Sequence, residues 1–326
     1  MERPIRWGMI GCGSVTEQKS GPGLYKAKDS ELVAVMSRTR SRAEDWARRH
    51  KVARAYDNID ALLSDPEVDA IYVATHPNTH RLYTLLSADC GKPVYCEKPL
   101  GMNWEESQQM VSFCKERNVP LFSAYYRRAL PKYQMVKALI DGGRYGSARG
   151  VHIYMGQAIA DEDRTDGGTW RVRTEISGGG KFHDVGSHAL DLIDWFFGPI
   201  TRASGTGMNQ SGAYEADDLV HGHFTTAGGV AGTGLWAFNT CRNEDYTTII
   251  LEGAKIEYSV LDIAAPITVT TAAGTEVIAV PSPPEHVAQP LIETVVDDLL
   301  GRGVCPSTGE SGSRTDWVIE QLLKGE

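Results

Sequence analysis

The chain has 326 residues and a formal net charge of −9, with 41% hydrophobic and 23% charged side chains, an ordinary globular composition. The acidic balance excludes a general nucleic-acid or anionic-membrane binder, which needs a basic face, and no apolar run reaches the ~18 residues of a membrane span. The length passes the ~300 residues at which single cores stop growing, so two domains are expected.

Residues 5–10 read as a strand that runs into Gly11-Cys12-Gly13, and residues 31–36 as a second strand followed by a polar helix over 41–50. Residues 68–74 form a third strand, with a helix over 78–88 whose Leu82, Leu85 and Leu86 share a face. A short strand at 93–96, a helix at 104–117 and a strand at 119–124 complete the alternation. Strands and helices in this rhythm predict a doubly wound parallel sheet, a Rossmann-type α/β domain. Beyond Arg127 the texture changes to a helix at 130–140, a long strand from 148 to 159, and β-rich sequence from about 200 to 280. That pattern predicts a second α/β domain with an open, mainly antiparallel sheet. Pro281-Ser282-Pro283-Pro284 is a breaker, and helices at 286–300 and 308–323 close the chain. The division expected is 1–125 for the dinucleotide domain and 126–326 for substrate binding and oligomerisation. The apolar stretch that residues 1–7 enter is too short for a signal-peptide core. Cys12, Cys90, Cys96, Cys114, Cys241 and Cys305 make no CxxC pair, so reduced thiols and a cytoplasmic location are expected.

The turn after the first strand is a phosphate loop. Gly11 and Gly13 let the backbone approach a pyrophosphate, and Ser14 and Val15 open a helix whose N–H groups face it. Thr16 stands at the third glycine position of the fingerprint. The second strand ends in Ser37-Arg38-Thr39-Arg40-Ser41-Arg42, with no carboxylate before Glu44. A carboxylate there would accept from ribose hydroxyls, whereas a hydroxyl and guanidinium groups suit a ribose phosphate. NADP(H) is therefore expected over NAD(H), held by Ser37, Arg38 and Arg42. Thr75, His76, Asn78 and His80 follow a parallel strand and reach the same sheet edge; Asn78 also reads as a helix N-cap.

Three segments carry candidate chemistry. Glu97-Lys98-Pro99 ends a parallel strand where ligands of such sheets bind, and Lys98-Pro99 is a candidate cis peptide. Gly178-Gly179-Gly180 precedes Asp184 and His188, which a helix over 184–197 places at i and i+4 on one face. An aspartate beside an imidazole orients it and raises its basicity. Asp191 and Asp194 read as structural. Trp170-Arg171 lies upstream.

Together these residues resemble the Gfo/Idh/MocA family, the glucose–fructose oxidoreductase and inositol dehydrogenase group. The shared motifs are the Gly11/Gly13 loop, Val68-Asp69-Ala70-Ile71, the His80 segment, Glu97-Lys98-Pro99, Trp170-Arg171, and Gly178 through His188. They span more than half the chain, and the β-rich remainder matches in texture only. The resemblance implies an NAD(P)-dependent oxidoreductase that interconverts a secondary alcohol and ketone on a sugar, cyclitol or related polyol. It implies Lys98, Asp184 and His188 as catalytic residues. Contacts to cofactor are expected from Gly11, Gly13, Ser14, Val15, Ser37, Arg38, Arg42, Thr75, His76, Asn78, His80, Glu97 and Lys98. Substrate contacts are expected from Lys98, Arg127, Tyr154, Trp170, Arg171, Asp184 and His188, with Arg128 an alternative to Arg127. His183 stands where relatives often carry an apolar residue. A homodimer or homotetramer formed through a face of the C-terminal sheet is also implied, with no metal, nucleic acid or membrane.

Three other readings compete. A non-sugar diol, or an anhydro- or deoxy-sugar ketone, would keep the same chemistry on another substrate. A metal hydrolase using His183, Asp184, His188, His221 and His223 would leave the dinucleotide loop without a purpose. A redox sensor that binds NADP(H) without turnover would have no use for Lys98, Asp184 and His188.

Overall fold

The computed structural model describes residues 3–165 and 167–325. They form two compact units. The first comprises residues up to Gly101, Glu105–Ala129 and Pro284–Ser313; the second comprises Met102–Trp104, Leu130–Pro283 and the segment from Arg314.

The first unit holds six parallel strands: β1 (Ile5–Ile10), β2 (Ser30–Met36), β3 (Arg54–Tyr56), β4 (Ala70–Val73), β5 (Val94–Cys96) and β6 (Leu121–Ser123). Their order is β3-β2-β1-β4-β5-β6, which reverses direction between β1 and β4. Ligands of doubly wound sheets bind at that reversal, outside the carboxyl ends of the strands. Helices α1 (Ser14–Gln18), α2 (Gly21–Lys26), α3 (Arg40–His50), α4 (Ile59–Leu63), α5 (His80–Asp89) and α6 (Trp104–Glu116) connect them. The β4 side chains are all buried, as expected of a strand covered on both faces.

The contiguous division at 125/126 does not describe the first unit. Helix α10 (Gln289–Leu299) places Leu291, Ile292, Val295 and Val296 in the same buried cluster as Trp7, Met9, Leu24, Tyr72 and Tyr95. The Ala288 N–H donates to Lys19 O at 3.0 Å, and Ser307 Oγ donates to Ser123 O at 2.7 Å. The physical reason is coverage. One face of the parallel sheet needs an apolar helix that the first 125 residues do not supply, and burial of four aliphatic side chains supplies it.

The second unit carries an eight-stranded sheet in the order β14-β13-β12-β11-β7-β10-β9-β8. The strands are β7 (Ala148–Gly156), β8 (Ile200–Met208), β9 (Leu219–Thr226), β10 (Ala231–Ala237), β11 (Glu244–Leu251), β12 (Lys255–Tyr258), β13 (Ile267–Thr271) and β14 (Gly274–Ile278). All neighbours are antiparallel except β7 and β10. Helices α7 (Pro131–Asp141), α8 (Thr174–Ser177), α9 (Ser187–Phe197) and α11 (Gly309–Leu323, from Arg314 on in this unit) complete it. Val151, Ile153 and Met155 of β7 are buried, while His152 and Tyr154 alternate onto the other face. The buried face meets the helices through Phe182 on Trp236, ring centroids 5.0 Å apart, and Phe196 near Tyr258. No helix among the described residues is long and apolar enough to cross a membrane.

Candidate active site

A cleft of about 190 Å³ opens at the carboxyl ends of β1, β2 and β4, all within the first unit. Gly11, Cys12 and Gly13 form one wall. Gly11 has φ +106°, and a Cβ there would stand 2.6 Å from Ala74 O, so only glycine fits. A Cβ on Gly13 would meet nothing within 4 Å, so its Cα faces open space. The third fingerprint position causes no conflict: Thr16 is fully buried and its hydroxyl donates to Gly13 O at 2.7 Å.

Ser37, Arg38, Thr39 and Arg42 form the second wall. Thr39 caps α3, so the positive end of that helix also points here. Arg38 and Arg42 have no ion pair among the described residues, whereas Arg40 turns away to Glu44 at 2.7 Å. No carboxylate lines the cleft among the described residues. Thr75, His76, Asn78, Thr79 and Tyr83 make the third wall. Asn78 is not the cap of α5; it sits in a 3₁₀ turn, Pro77–Thr79, and Thr79 holds the cap position. A glycine turn that admits backbone-to-phosphate contact, with two guanidinium groups beside it that have no ion pair among the described residues, fits a dinucleotide.

Five expected cofactor residues of this unit do not line the cleft. Ser14 and Val15 start α1 but do not line the cleft, and Val15 packs toward the core. His80 is fully buried. Its Nδ1 lies 2.9 Å from Pro99 O and its Nε2 3.1 Å from Thr75 O, and burial pushes its pKa down to about 4. It therefore ties the β4 loop to the β5 loop from beneath. Glu97 accepts from the buried Tyr72 hydroxyl at 2.6 Å and from the Lys98 N–H at 3.3 Å. Lys98 stands half-buried at the end of β5, and the Lys98-Pro99 peptide is cis. Arg127 and Arg128 are both buried in the first unit. Arg127 donates to Tyr126 Oη at 3.2 Å, and Arg128 donates to Pro306 O at 2.8 Å, which anchors the returning segment.

In the second unit the expected single helix over 184–197 is interrupted. Phe182–Gly186 is a π-helical turn and α9 begins at Ser187. Asp184 lies in the wide turn and His188 in the first turn of α9; both are buried. Arg171 Nε donates to Asp184 Oδ2 at 2.8 Å, and the same guanidinium lies 4.8 Å from the Trp170 ring. His183 is buried against Gly179, whose position leaves no room for a Cβ beside the ring, and burial lowers its pKa to about 4. Asp194 takes a two-point fork from Arg314 at 2.8 and 2.7 Å, a structural role.

Tyr154 does not join these residues. It projects from the face of β7 opposite the helices, with its ring 5.2 Å from Tyr246. Strand alternation is the reason: Ile153 and Met155 occupy the covered face. His221 and His223 share the open face on β9, away from His183 and His188, so the hydrolase ligand set is not assembled. Among the described residues no group of three or more His, Cys, Asp or Glu is arranged for a metal. The sequence reading missed Cys12, Thr39, Thr79 and Tyr83 in the cleft, of which only Thr39 had a local signal, as a helix cap. It also missed a buried ion pair, Lys181 Nζ to Asp163 Oδ2 at 2.8 Å, whose partners are too far apart in sequence to announce each other.

Residues 5–125 match a family model described as an oxidoreductase family with an NAD-binding Rossmann fold, and residues 133–257 match the GFO/IDH/MocA C-terminal domain. Oxidoreductase P35 of Formosa agariphila is 36% identical over 325 residues, 98% of each chain. The 1,5-anhydro-D-fructose reductase of Ensifer adhaerens is 26% identical over 94% of this chain and 92% of its own. In fold, levoglucosan dehydrogenase in complex with NADH superposes with a TM-score of 0.86 at 18% identity, covering 98% of this chain and 96% of that one.

Proposed function

Since the chain belongs to the Gfo/Idh/MocA family of oxidoreductases, we propose that it transfers a hydride between NADP(H) and a secondary alcohol or ketone of a sugar, cyclitol or related polyol. The carrying observation is the cleft in which Gly11 and Gly13 face Ser37, Arg38 and Arg42, with no carboxylate among the described residues that line it. A ribose hydroxyl pair gains most from a carboxylate, and a ribose phosphate from forked guanidinium donors. Gly11, Gly13, Ser37, Arg38, Arg42, Thr75, His76 and Asn78 would hold the dinucleotide, whose nicotinamide supplies the hydride acceptor or donor. The anhydro-ketone substrate named for the Ensifer relative falls within the same chemistry.

In the oxidative direction His188 takes the hydroxyl proton as the carbon loses hydride. Asp184 orients and tunes that imidazole, and Lys98 stabilises negative charge developing on the oxygen. In reduction the same groups return the proton. A positioned acid or base is worth ~10²–10⁴-fold. Arg171, whose guanidinium lies over the Trp170 ring, holds Asp184 from the neighbouring turn. The open face of the second sheet, which carries Tyr246 and Ile250 at 43% and 47% exposure, is where we place a second copy of the chain. The scattered cysteines suit the reducing cytoplasm.

The test follows nicotinamide absorbance while the protein meets sugars, cyclitols, diols and their keto forms, 1,5-anhydro-D-fructose included, with NADP(H) and NAD(H) in parallel. Turnover with NADP(H) that falls about 10²–10⁴-fold in Lys98→Ala and His188→Ala is expected. Equal activity in those variants overturns the roles, and tight NADPH binding without turnover on any substrate favours the sensor reading.

A further inference from the structure

Helix α3 carries the second wall of the cleft at its first turn, and its other end is fastened to α1. Arg49 donates to both carboxylate oxygens of Glu17, Nη1 to Oε2 at 2.6 Å and Nη2 to Oε1 at 2.8 Å. His50 Nε2 lies 3.0 Å from the same Oε2, and its Nδ1 lies 3.2 Å from the Tyr25 hydroxyl of α2. The His50 ring stacks on Trp46 with centroids 3.9 Å apart and planes 13° off parallel. Trp46 is fully buried, and a Cβ on Gly21 would come within 2.8 Å of its ring, so α3 and the α1–α2 corner are in close contact. None of these residues lines the cleft or belongs to the motifs that identify the family.

The arrangement has a mechanical meaning. α1 continues directly from Gly13, and α3 continues directly from Arg38 and Thr39. Each helix is a short rod, so a contact between their bodies fixes the spacing of the two cleft walls from which they start. The pyrophosphate would touch one wall and the ribose phosphate the other.

We propose that Glu17, Arg49 and His50 form a positioning clamp that fixes α3 against α1 and thereby sets the preference for NADP(H) over NAD(H). The proposal rests on the cofactor reading above. For Glu17, electrostatics alone gives the opposite sign. Glu17 is an anion in the first turn of the helix behind the phosphate loop, so its removal should favour every anionic dinucleotide, and the one with the extra phosphate most. The clamp instead requires that breaking it weaken NADPH selectively, because only NADPH engages Arg38 and Arg42 through a phosphate.

Dissociation constants for NADPH and NADH, measured by fluorescence titration of the full chain, decide the matter. Glu17→Gln and Arg49→Met should each lower the NADPH-to-NADH affinity ratio about fivefold, the scale of a well-formed surface ion pair. The double variant should lower it no further. Arg49→Lys, which keeps the cation but loses the two-point fork, should give an intermediate ratio with the fold intact by circular dichroism. A ratio that is unchanged or raised, equal weakening of both cofactors, or additive effects in the double variant overturns the clamp. Arg38→Ala separates the two levels. A wild-type preference for NADH, or an Arg38→Ala ratio equal to wild type, overturns the cofactor reading and the clamp with it. An Arg38→Ala response with silent Glu17→Gln and Arg49→Met overturns the clamp alone.

Discussion

Arg171 and Asp184 meet at 2.8 Å, Nε to Oδ2, with the Asp184 side chain only 11% exposed and that of Arg171 at 42%. A guanidinium that already serves a buried carboxylate is poorly placed to be only a substrate ligand. Arg171→Gln should therefore act on the chemical step. We expect kcat to fall about tenfold or more with KM changed less than about threefold, in steady-state kinetics on whichever substrate the absorbance panel identifies. A rise confined to KM would show that Arg171 binds substrate directly.

The Asp163–Lys181 ion pair is deeply buried, with side chains 3% and 8% exposed. Asp163 also accepts from the Thr169 hydroxyl at 2.5 Å, at the residue that starts the Trp170–Val172 turn. Removing one partner strands a charge. Asp163→Asn or Lys181→Met should cost about 3–5 kcal/mol in denaturant unfolding, while the double change to Asn and Met should recover much of the loss. Two single losses that simply add would show that the groups do not act as a pair.

Acid should destabilise the protein before its carboxylates titrate. His80 and His183 are buried, and burial lowers each from the ordinary 6.5 to about 4. Between those values the unfolded chain binds protons that the folded chain refuses, so stability is complete above about 6.5 and is lost as pH falls toward 4. Each histidine contributes on the order of 3 kcal/mol to that loss. Urea midpoints at pH 7.5 and 5 should differ, and the difference should shrink in His183→Gln. An unchanged slope there and in His80→Asn would place the acid sensitivity on other groups.

Gly11 and Gly13 should separate folding from binding. Gly11→Ala forces φ +106° on an alanine and drives its methyl to 2.6 Å from Ala74 O, so both melting temperature and NADPH affinity should drop. Gly13→Ala meets no protein atom within 4 Å and should melt like the parent, yet bind NADPH at least tenfold more weakly. Equal affinity in Gly13→Ala would remove Gly13 from the phosphate contact.

Much of this was legible in the amino acids. β1 and β4 are short apolar runs bounded by turns, and the Gly11 turn and the Lys98-Pro99 segment stand out by residue type. β3 escaped because Arg54-Ala55-Tyr56 is only three residues long and half-buried. The π turn at Phe182–Gly186 escaped because one wide turn hardly alters helical periodicity over so short a stretch. Tyr154 is expected among the substrate contacts with the family resemblance, whereas its alternation with Ile153 and Met155 sets it on the other face of β7. The amphipathic pattern of α10 says that it must pack but not on what, so its return to the first unit needed three dimensions.

That return has a consequence for the order of events at the ribosome. The nucleotide-binding sheet is translated before the eight-stranded sheet, but Pro284–Ser313, which belongs to the first compact unit, emerges only after both. Until then Trp7, Leu24 and Tyr95 lack the four aliphatic side chains that cover them. A nascent chain therefore carries an open apolar face until that segment emerges, a natural handle for chaperones, and a fragment ending at residue 130 would keep that face and precipitate.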